Sequence, residues 1–134
     1  MQEHQTGTER ILIVDDDEGI AKLEAMMLER LGYKVTPTVN CLDALASFKA
    51  NPGEFDLVIT DMTMPGMAGD TFAKELIAVR SDIPVIICTG FSDRVNEETA
   101  KSMGVKGFLM KPVSWSGLSE MVRKVLDEAE APAG

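Results

Sequence analysis

Four short apolar runs of this chain each end in side chains that can take part in metal and phosphate chemistry. The runs are 11–14, 55–60, 85–88 and 107–110, and the residues that follow them are Asp15 to Asp17, Asp61, Thr89 and Lys111. Carboxylates suit a divalent cation such as Mg²⁺, while a hydroxyl and an amine can bind a phosphoryl group. Together, the residues at the ends of these four runs indicate a site for a divalent cation and a phosphoryl group.

Asp61 is the candidate nucleophile among these residues, because aspartyl-phosphate formation is an established form of covalent catalysis. Clustered carboxylates repel one another unless a cation or protons intervene. Asp15 and Asp16 beside Asp61 therefore predict a Mg²⁺ site, since carboxylates commonly hold this ion together with phosphate oxygens. Lys111 can neutralise charge that develops on a phosphoryl group, and Thr89 can donate a hydrogen bond to one of its oxygens.

The runs alternate with segments of helical periodicity, which is typical of βαβ units and a parallel sheet. The predicted strands are 10–14, 34–38, 55–60, 83–88 and 106–110. Asn40 and Asp70 are predicted to cap the second and third helices, and a fourth helix is predicted over 93–103. The apolar faces predicted for the other helices are Ile20, Leu23, Met27, Leu28 and Leu31; Leu42, Leu45 and Phe48; Phe72, Leu76 and Val79; and Leu118, Met121, Val122, Val125 and Leu126.

The order of the strands follows from their composition. The first, third and fourth strands are continuously apolar, as expected of strands covered on both faces. The second is half polar and contains Pro37, which cannot donate a ladder hydrogen bond and so belongs at an edge. With right-handed crossovers, this predicts a doubly wound, flavodoxin-like (βα)5 α/β fold, with a five-stranded parallel sheet of order 2-1-3-4-5 and helices on both faces. In that order Asp15, Asp16 and Asp61 converge at the crevice between the first and third strands.

Length and charge limit the classes of function. The 134 residues fit one domain over 9–129, with a polar tail over 1–8 and a C-terminal tail over 130–134. The net charge of −9 disfavours direct nucleic-acid binding, which needs clustered Lys and Arg. No apolar run has membrane-spanning length. Cys41 and Cys88 lack zinc spacing, so a cytoplasmic protein with reduced thiols is expected.

The run ends resemble those of response regulator receiver domains of two-component signalling. The matching segments are Ile11 to Asp17, Asp61 to Gly69, Val85 to Gly90 and Phe108 to Pro112. The resemblance implies that Asp61 accepts a phosphoryl group from the phosphohistidine of a histidine kinase or histidine phosphotransfer domain. It implies that Asp16, Asp61 and the backbone carbonyl of Thr63 bind Mg²⁺ directly, with Asp15 helping partly through water. Thr89 and Lys111 are implied to bind the phosphoryl group.

The resemblance also implies a conformational switch. Phosphorylation draws Thr89 toward the phosphoryl group and lets Phe108 turn inward, which changes the face of the fourth helix, fifth strand and fifth helix for an output partner. Phe108 replaces the tyrosine of many relatives and offers no hydroxyl. Thr63 and Phe91, two residues beyond Asp61 and Thr89, are predicted to tune hydrolysis of the phosphoryl group.

Beyond catalysing its own phosphorylation and dephosphorylation, the chain is not expected to be an enzyme. No kinase or output domain is visible in it, so a stand-alone regulator or a receiver excised from a hybrid histidine kinase is expected, as a monomer or weak dimer.

Two alternatives remain. A haloacid-dehalogenase-type phosphatase also uses an Asp after its first strand, and Asp15 and Asp17 have its DxD spacing. The following Glu18 and Gly19 depart from that family, however, and Asp61 would have no role. A degenerate receiver that acts only as a docking module would share the fold without phosphorylation. The identity of the phosphorylated residue distinguishes these possibilities.

Overall fold

The structure, a computed structural model, describes residues 7–90, 101–102, 104–111 and 113–130. Its elements in chain order are β1 Arg10–Val14, α1 Glu18–Glu29, β2 Lys34–Thr38, α2 Cys41–Ala50, β3 Leu57–Asp61, α3 Gly69–Val79, β4 Val85–Thr89, β5 Gly107–Met110 and the C-terminal helix Trp115–Glu130. The helix predicted over 93–103 lies almost wholly outside these residues. Within them, no helix combines the length and apolarity needed to cross a bilayer.

The five strands are parallel and lie in the order β2-β1-β3-β4-β5, which confirms the predicted order. The three inner strands are buried along almost their whole length, while β2, with Pro37, lies at an edge. The register places Val14 opposite Thr60, and Thr89 opposite Met110. The residues that follow β1, β3 and β5 therefore meet at one edge of the sheet.

The core consists of two layers, one on each face of the sheet. One layer packs α1 and the C-terminal helix against Ile11, Ile13, Leu57, Ile59 and Ile86, and this side is called the α1 face. The other packs α2 and α3 against Leu12, Val14, Val58, Val85 and Ile87, and this side is called the α3 face. Side chains alternate between the faces along each strand. Asp15, Asp61 and Lys111 consequently continue the α1 face.

The predicted helix faces were wrong at three positions. Leu23 of α1 is 56% exposed, Leu42 of α2 is 52% exposed and Val79 of α3 is 38% exposed. Helix α1 buries Ala21, Glu24 and Ala25 beside the predicted Leu28, and α2 buries Cys41 and Ala44 beside the predicted Leu45 and Phe48. Small side chains allow a helix to lie close to the sheet. Alanines of α1 and α2 therefore face the sheet in place of the larger apolar residues that were predicted to do so.

The predicted cap of α2 is confirmed and that of α3 is wrong. Asn40 accepts hydrogen bonds from the backbone N–H groups of Leu42 and Asp43 at 2.9 and 3.1 Å. Helix α3 begins at Gly69 and has no side-chain cap, so Asp70 lies within its first turn. The N–H of Gly69 donates to the carbonyl of Met62 at 2.7 Å, which fixes the helix start directly against the end of β3.

Candidate functional site

Three carboxylates meet at the edge of the sheet where β1 and β3 end. Asp15, Asp16 and Asp61 each offer one oxygen atom, and these oxygens lie within 4.8 Å of one another. Asp15 is 3% exposed and Asp61 is 7% exposed, whereas Asp16 faces solvent. They converge because β1 and β3 are adjacent, parallel and in register up to Val14 and Thr60.

Lys111 contributes the positive charge of the site. Its Nζ lies 2.7 Å from Oδ1 of Asp61 and 3.6 Å from Oδ2 of Asp15. Strand β4 separates β5 from β3, a span of roughly 10 Å, and the long lysine side chain reaches across it. The backbone N–H of Lys111 donates to the carbonyl of Thr89 at 2.8 Å. This bond fixes the point from which the side chain extends.

The carboxylate of Asp61 is oriented by the backbone that follows it. The N–H of Met62 donates to Oδ1 of Asp61 at 3.0 Å and to the carbonyl of Cys88 at 2.9 Å. Oδ1 of Asp61 therefore has two donors, the N–H of Met62 and the Nζ of Lys111, and together they fix the orientation of the carboxylate.

The three consecutive aspartates have separate roles. Asp15 accepts a hydrogen bond from the N–H of Asp17 at 2.9 Å, which turns its carboxylate into the site. Asp17 is the N-cap of α1 and accepts from the N–H of Ile20 at 3.1 Å. Asp16, between them, remains exposed beside the other two carboxylates. Asp15 and Asp16 therefore belong to the site, and Asp17 to the helix.

The pKa values of Asp15 and Lys111 reflect an excess of negative charge in the site. Burial raises the pKa of Asp15, and the charges of Asp61 and Asp16 raise it further, against the opposing effects of the Asp17 N–H and Lys111. Burial alone would lower the pKa of Lys111, but its hydrogen bond to Asp61 and the charges of Asp15 and Asp61 raise it above its usual value. Three carboxylates facing one amine fit a divalent cation, and a donor set of oxygens suits Mg²⁺.

Thr89 and Phe108, the two residues predicted to form the switch, lie in β4 and β5. Alternation puts both side chains on the α3 face, where Phe108 is partly buried against that core layer. The hydroxyl of Thr89, which is 1% exposed, donates to the carbonyl of Gly90 at 3.3 Å. Thr63 is exposed in the loop after β3. Phe91, predicted to tune hydrolysis, lies outside the described residues.

Glu24 is a candidate site residue that sequence reasoning missed. It lies on the buried side of α1 and is 7% exposed. Burial raises its pKa to about 7, and the charges of Asp15 and Asp61 contribute in the same direction, while Lys111 opposes them. The available signal was the helical spacing of Ala21, Glu24, Ala25 and Leu28, which is hidden when Glu is counted only as polar.

Replacing Gly69 with Ala is expected to destabilise the fold by about 1–3 kcal/mol, because the added methyl group overpacks a tight contact. A Cβ at this position would collide with the backbone oxygen of Asp61 and lie 2.8 Å from Cα of Met62. Gly53 is the matched control, since a Cβ there meets no atom within 4 Å. Chemical denaturation measures both variants. Equal stability of Gly69→Ala and Gly53→Ala would show that the close contact of Gly69 with the end of β3 does not affect the stability of the fold.

The comparisons with known proteins agree on one family. Residues 11–123 match the family model described as response regulator receiver domain. The chain is 33% identical over 116 residues to the sensory transduction protein RegX3 of Mycolicibacterium smegmatis, covering 87% of this chain and 50% of that protein. It is 28% identical over 125 residues to the sensor kinase CckA of Brucella abortus, covering 93% of this chain and 13% of that protein.

A solved structure gives the same result. The crystal structure of a response regulator receiver domain protein from Clostridium thermocellum superposes with a TM-score of 0.84 at 31% identity, covering 90% of this chain and 95% of that one. The chain therefore belongs to the response regulator receiver domain family of two-component signalling. It spans half or less of the two curated relatives named above.

Proposed function

We propose that Asp61 accepts a phosphoryl group in a reaction that requires Mg²⁺. The observation that carries this proposal is the arrangement around Asp61: a nearly buried carboxylate, oriented by the N–H of Met62, in contact with Lys111 and clustered with Asp15 and Asp16. Receiver domains interact with histidine kinases or phosphotransfer proteins, so the donor is a phosphohistidine.

The transfer is a displacement at phosphorus. A carboxylate oxygen of Asp61 forms the new O–P bond, the P–N bond to the donor imidazole breaks, and the imidazole nitrogen retains the electron pair. Lys111, held at 2.7 Å from Asp61, lies close enough to pair with a phosphoryl oxygen as the product forms. The hydroxyl of Thr89 would have to leave the Gly90 carbonyl in order to donate to another phosphoryl oxygen.

Mg²⁺ would be held directly by Asp16, Asp61 and the backbone carbonyl of Thr63, with Asp15 contributing partly through water. When bound, the ion supplies positive charge that offsets both the carboxylates and the incoming phosphoryl group. The raised pKa of Asp15 and the mutual approach of the three carboxylates support this assignment.

Movement of Thr89 toward the phosphoryl group is proposed to switch the output face. Phe108 of β5 is paired with Ile87, two residues before Thr89 in β4, so Thr89 and Phe108 lie diagonally and a shift of one changes the space beside the other. The output face then includes Phe108 and the adjacent part of the C-terminal helix, and its partner is a protein. Cys41 and Cys88 are free and buried, which supports a reducing, cytoplasmic location.

Incubation with acetyl phosphate tests this function without requiring the cognate kinase. In the presence of Mg²⁺ the intact mass should increase by one phosphoryl group, and EDTA should prevent the increase. Asp16→Asn should need a higher Mg²⁺ concentration for the same mass gain, whereas Asp43→Asn, which changes an exposed carboxylate of α2 outside the cluster of three, should behave as wild type. A chain that gains no mass under any condition would support the alternative of a docking-only receiver.

A further inference from the structure

Glu24 is a buried acid that the proposed phosphoryl transfer does not use. Its side chain is 7% exposed and faces the sheet beside Ala21, Ala25 and Leu28. Within the described part of the chain, its carboxylate has no hydrogen-bond or ion-pair partner, and its oxygens are not completely shielded from solvent. An acid without such a partner costs free energy in a core, and an apolar side chain would avoid that cost.

The position of Glu24 directs its carboxylate toward the phosphorylation site. Helix α1 begins immediately after Asp15, Asp16 and Asp17 and packs on the α1 face, to which Asp15, Asp61 and Lys111 also belong. Helical side chains tilt toward the N-terminus of their helix, which here is the end at the site. The charges of Asp15, Asp61 and Lys111 each affect the ionisation of Glu24, so these groups are within electrostatic range of one another.

We propose that Glu24 is a positioning residue of the cation site, whose negative charge acts with Asp15, Asp16 and Asp61 to strengthen Mg²⁺ binding. This inference rests on the proposed function in assigning the three aspartates to Mg²⁺. Glu24 lies outside the group of oxygens within 4.8 Å of one another, so it acts through space rather than as a direct ligand. Lys111 alone cannot neutralise four carboxylates, and a divalent cation relieves the remaining repulsion.

The effect on affinity is moderate and depends on protonation. Even at the dielectric constant of bulk water, Coulomb attraction between one negative charge and a divalent cation on the order of 8–10 Å away predicts about fivefold tighter binding, and partial burial raises the effect to about tenfold or more. The ionisable groups that face Glu24 are Asp15 after β1, Asp61 in β3, Cys88 in β4 and Lys111 after β5. The C-terminal helix contributes apolar side chains to the same layer, among them Leu118 and Val122. Because the pKa of Glu24 is raised to about 7, its charge is present above neutrality and lost below it.

Calorimetric titration of the full chain with MgCl₂ tests the proposal. At about pH 8, Glu24→Gln should bind Mg²⁺ about fivefold to tenfold more weakly than wild type, and at about pH 5.5 the two should agree. Glu29→Gln is the matched control, because it removes the same charge from the exposed side of α1. Glu24→Asp keeps the charge and should retain most of the affinity. Glu24→Leu should match Glu24→Gln, and it serves as the second charge-removing variant if the amide does not fold.

The outcomes separate this inference from the proposed function. If wild type binds Mg²⁺ and Glu24→Gln binds it equally well at both pH values, Glu24 has no role in the cation site and the inference is wrong. An equal loss at both pH values would assign Glu24 a purely structural role and would also overturn it. If wild type binds no Mg²⁺, or if Asp61→Asn binds as tightly as wild type, the assignment of the site itself fails.

Discussion

Replacing Lys111 with Met is expected to slow phosphorylation of Asp61 by about 10²-fold at saturating Mg²⁺, the usual cost of removing one preorganised group that stabilises developing charge. Lys111 is the one amine in contact with Asp61 and Asp15 among the described residues. Met preserves the length of the side chain but not its charge. The rate of mass gain with acetyl phosphate measures the effect.

The same variant should bind Mg²⁺ more tightly than wild type, because a positive charge 2.7 Å from Asp61 has been removed. Opposite changes in rate and affinity separate the loss of a catalytic charge from general damage to the site, which would weaken both. Lys106→Met is the matched control, since Lys106 is exposed just before the other end of β5. Phosphorylation of Lys111→Met within about twofold of wild type would remove Lys111 from the reaction.

The free energy of unfolding of the metal-free protein is expected to fall as pH rises from 4.5 to about 7, by up to about 3 kcal/mol. Glu24 is responsible, because burial raises its pKa from 4.5 to about 7 in the folded state. Below pH 4.5 the carboxyl is protonated in both states and makes no difference. Between the two values only the folded state retains the proton, so each increase in pH favours unfolding, and above about 7 the loss is complete.

Urea denaturation in EDTA across this pH range measures the effect. Glu24→Gln should have a flatter pH profile than wild type, because its side chain does not titrate; Glu29→Gln should keep the wild-type slope. Asp15 has a raised pKa as well, so a smaller slope of the same sign should remain in Glu24→Gln. Identical slopes for wild type and Glu24→Gln would show that Glu24 does not titrate in this range.

The strand order was predictable because it depends on a few decisive residues. Pro37 lacks a backbone donor and had to lie at an edge, and the continuously apolar third and fourth strands had to be covered on both faces. Once the order was established, Asp15 and Asp61 had to meet, since parallel neighbours end at the same edge. Lys111 followed from its place after β5. The proximity of these three charged residues could therefore be predicted from the sequence.

The buried faces of the helices and the first residue of α3 were harder to predict from the sequence. Leu23 and Leu42 are apolar enough to be assigned to the core, yet close packing favoured Ala21 and Ala44, whose small size no hydrophobic pattern emphasises. Asp70 is a good capping residue by type. The close approach of Gly69 to the end of β3 instead places the helix start two residues earlier, with Ala68 as the N-cap, through a contact that the local sequence does not encode.

Glu24 shows a third limit of sequence reasoning. A glutamate in a helix is normally solvated, and only the position of α1 over the sheet places this one in the core. Burial against the sheet and the charge of Asp61 from β3 both contribute to its raised pKa, so this pKa depends on the assembled fold. Thr89 is a related case: its strand position was predicted, but the hydrogen bond of its hydroxyl to Gly90 could not be.

The most direct measurement is to identify the phosphorylated residue. Wild type and Asp61→Asn are incubated with acetyl phosphate and Mg²⁺, and intact mass and peptide mass spectra are recorded before and after hydroxylamine. Wild type should gain one hydroxylamine-sensitive phosphoryl group on the peptide that contains Asp61, and Asp61→Asn should gain none. Equal labelling of both proteins, or a phosphoryl group on Asp15, would contradict the assignment of Asp61 as the acceptor.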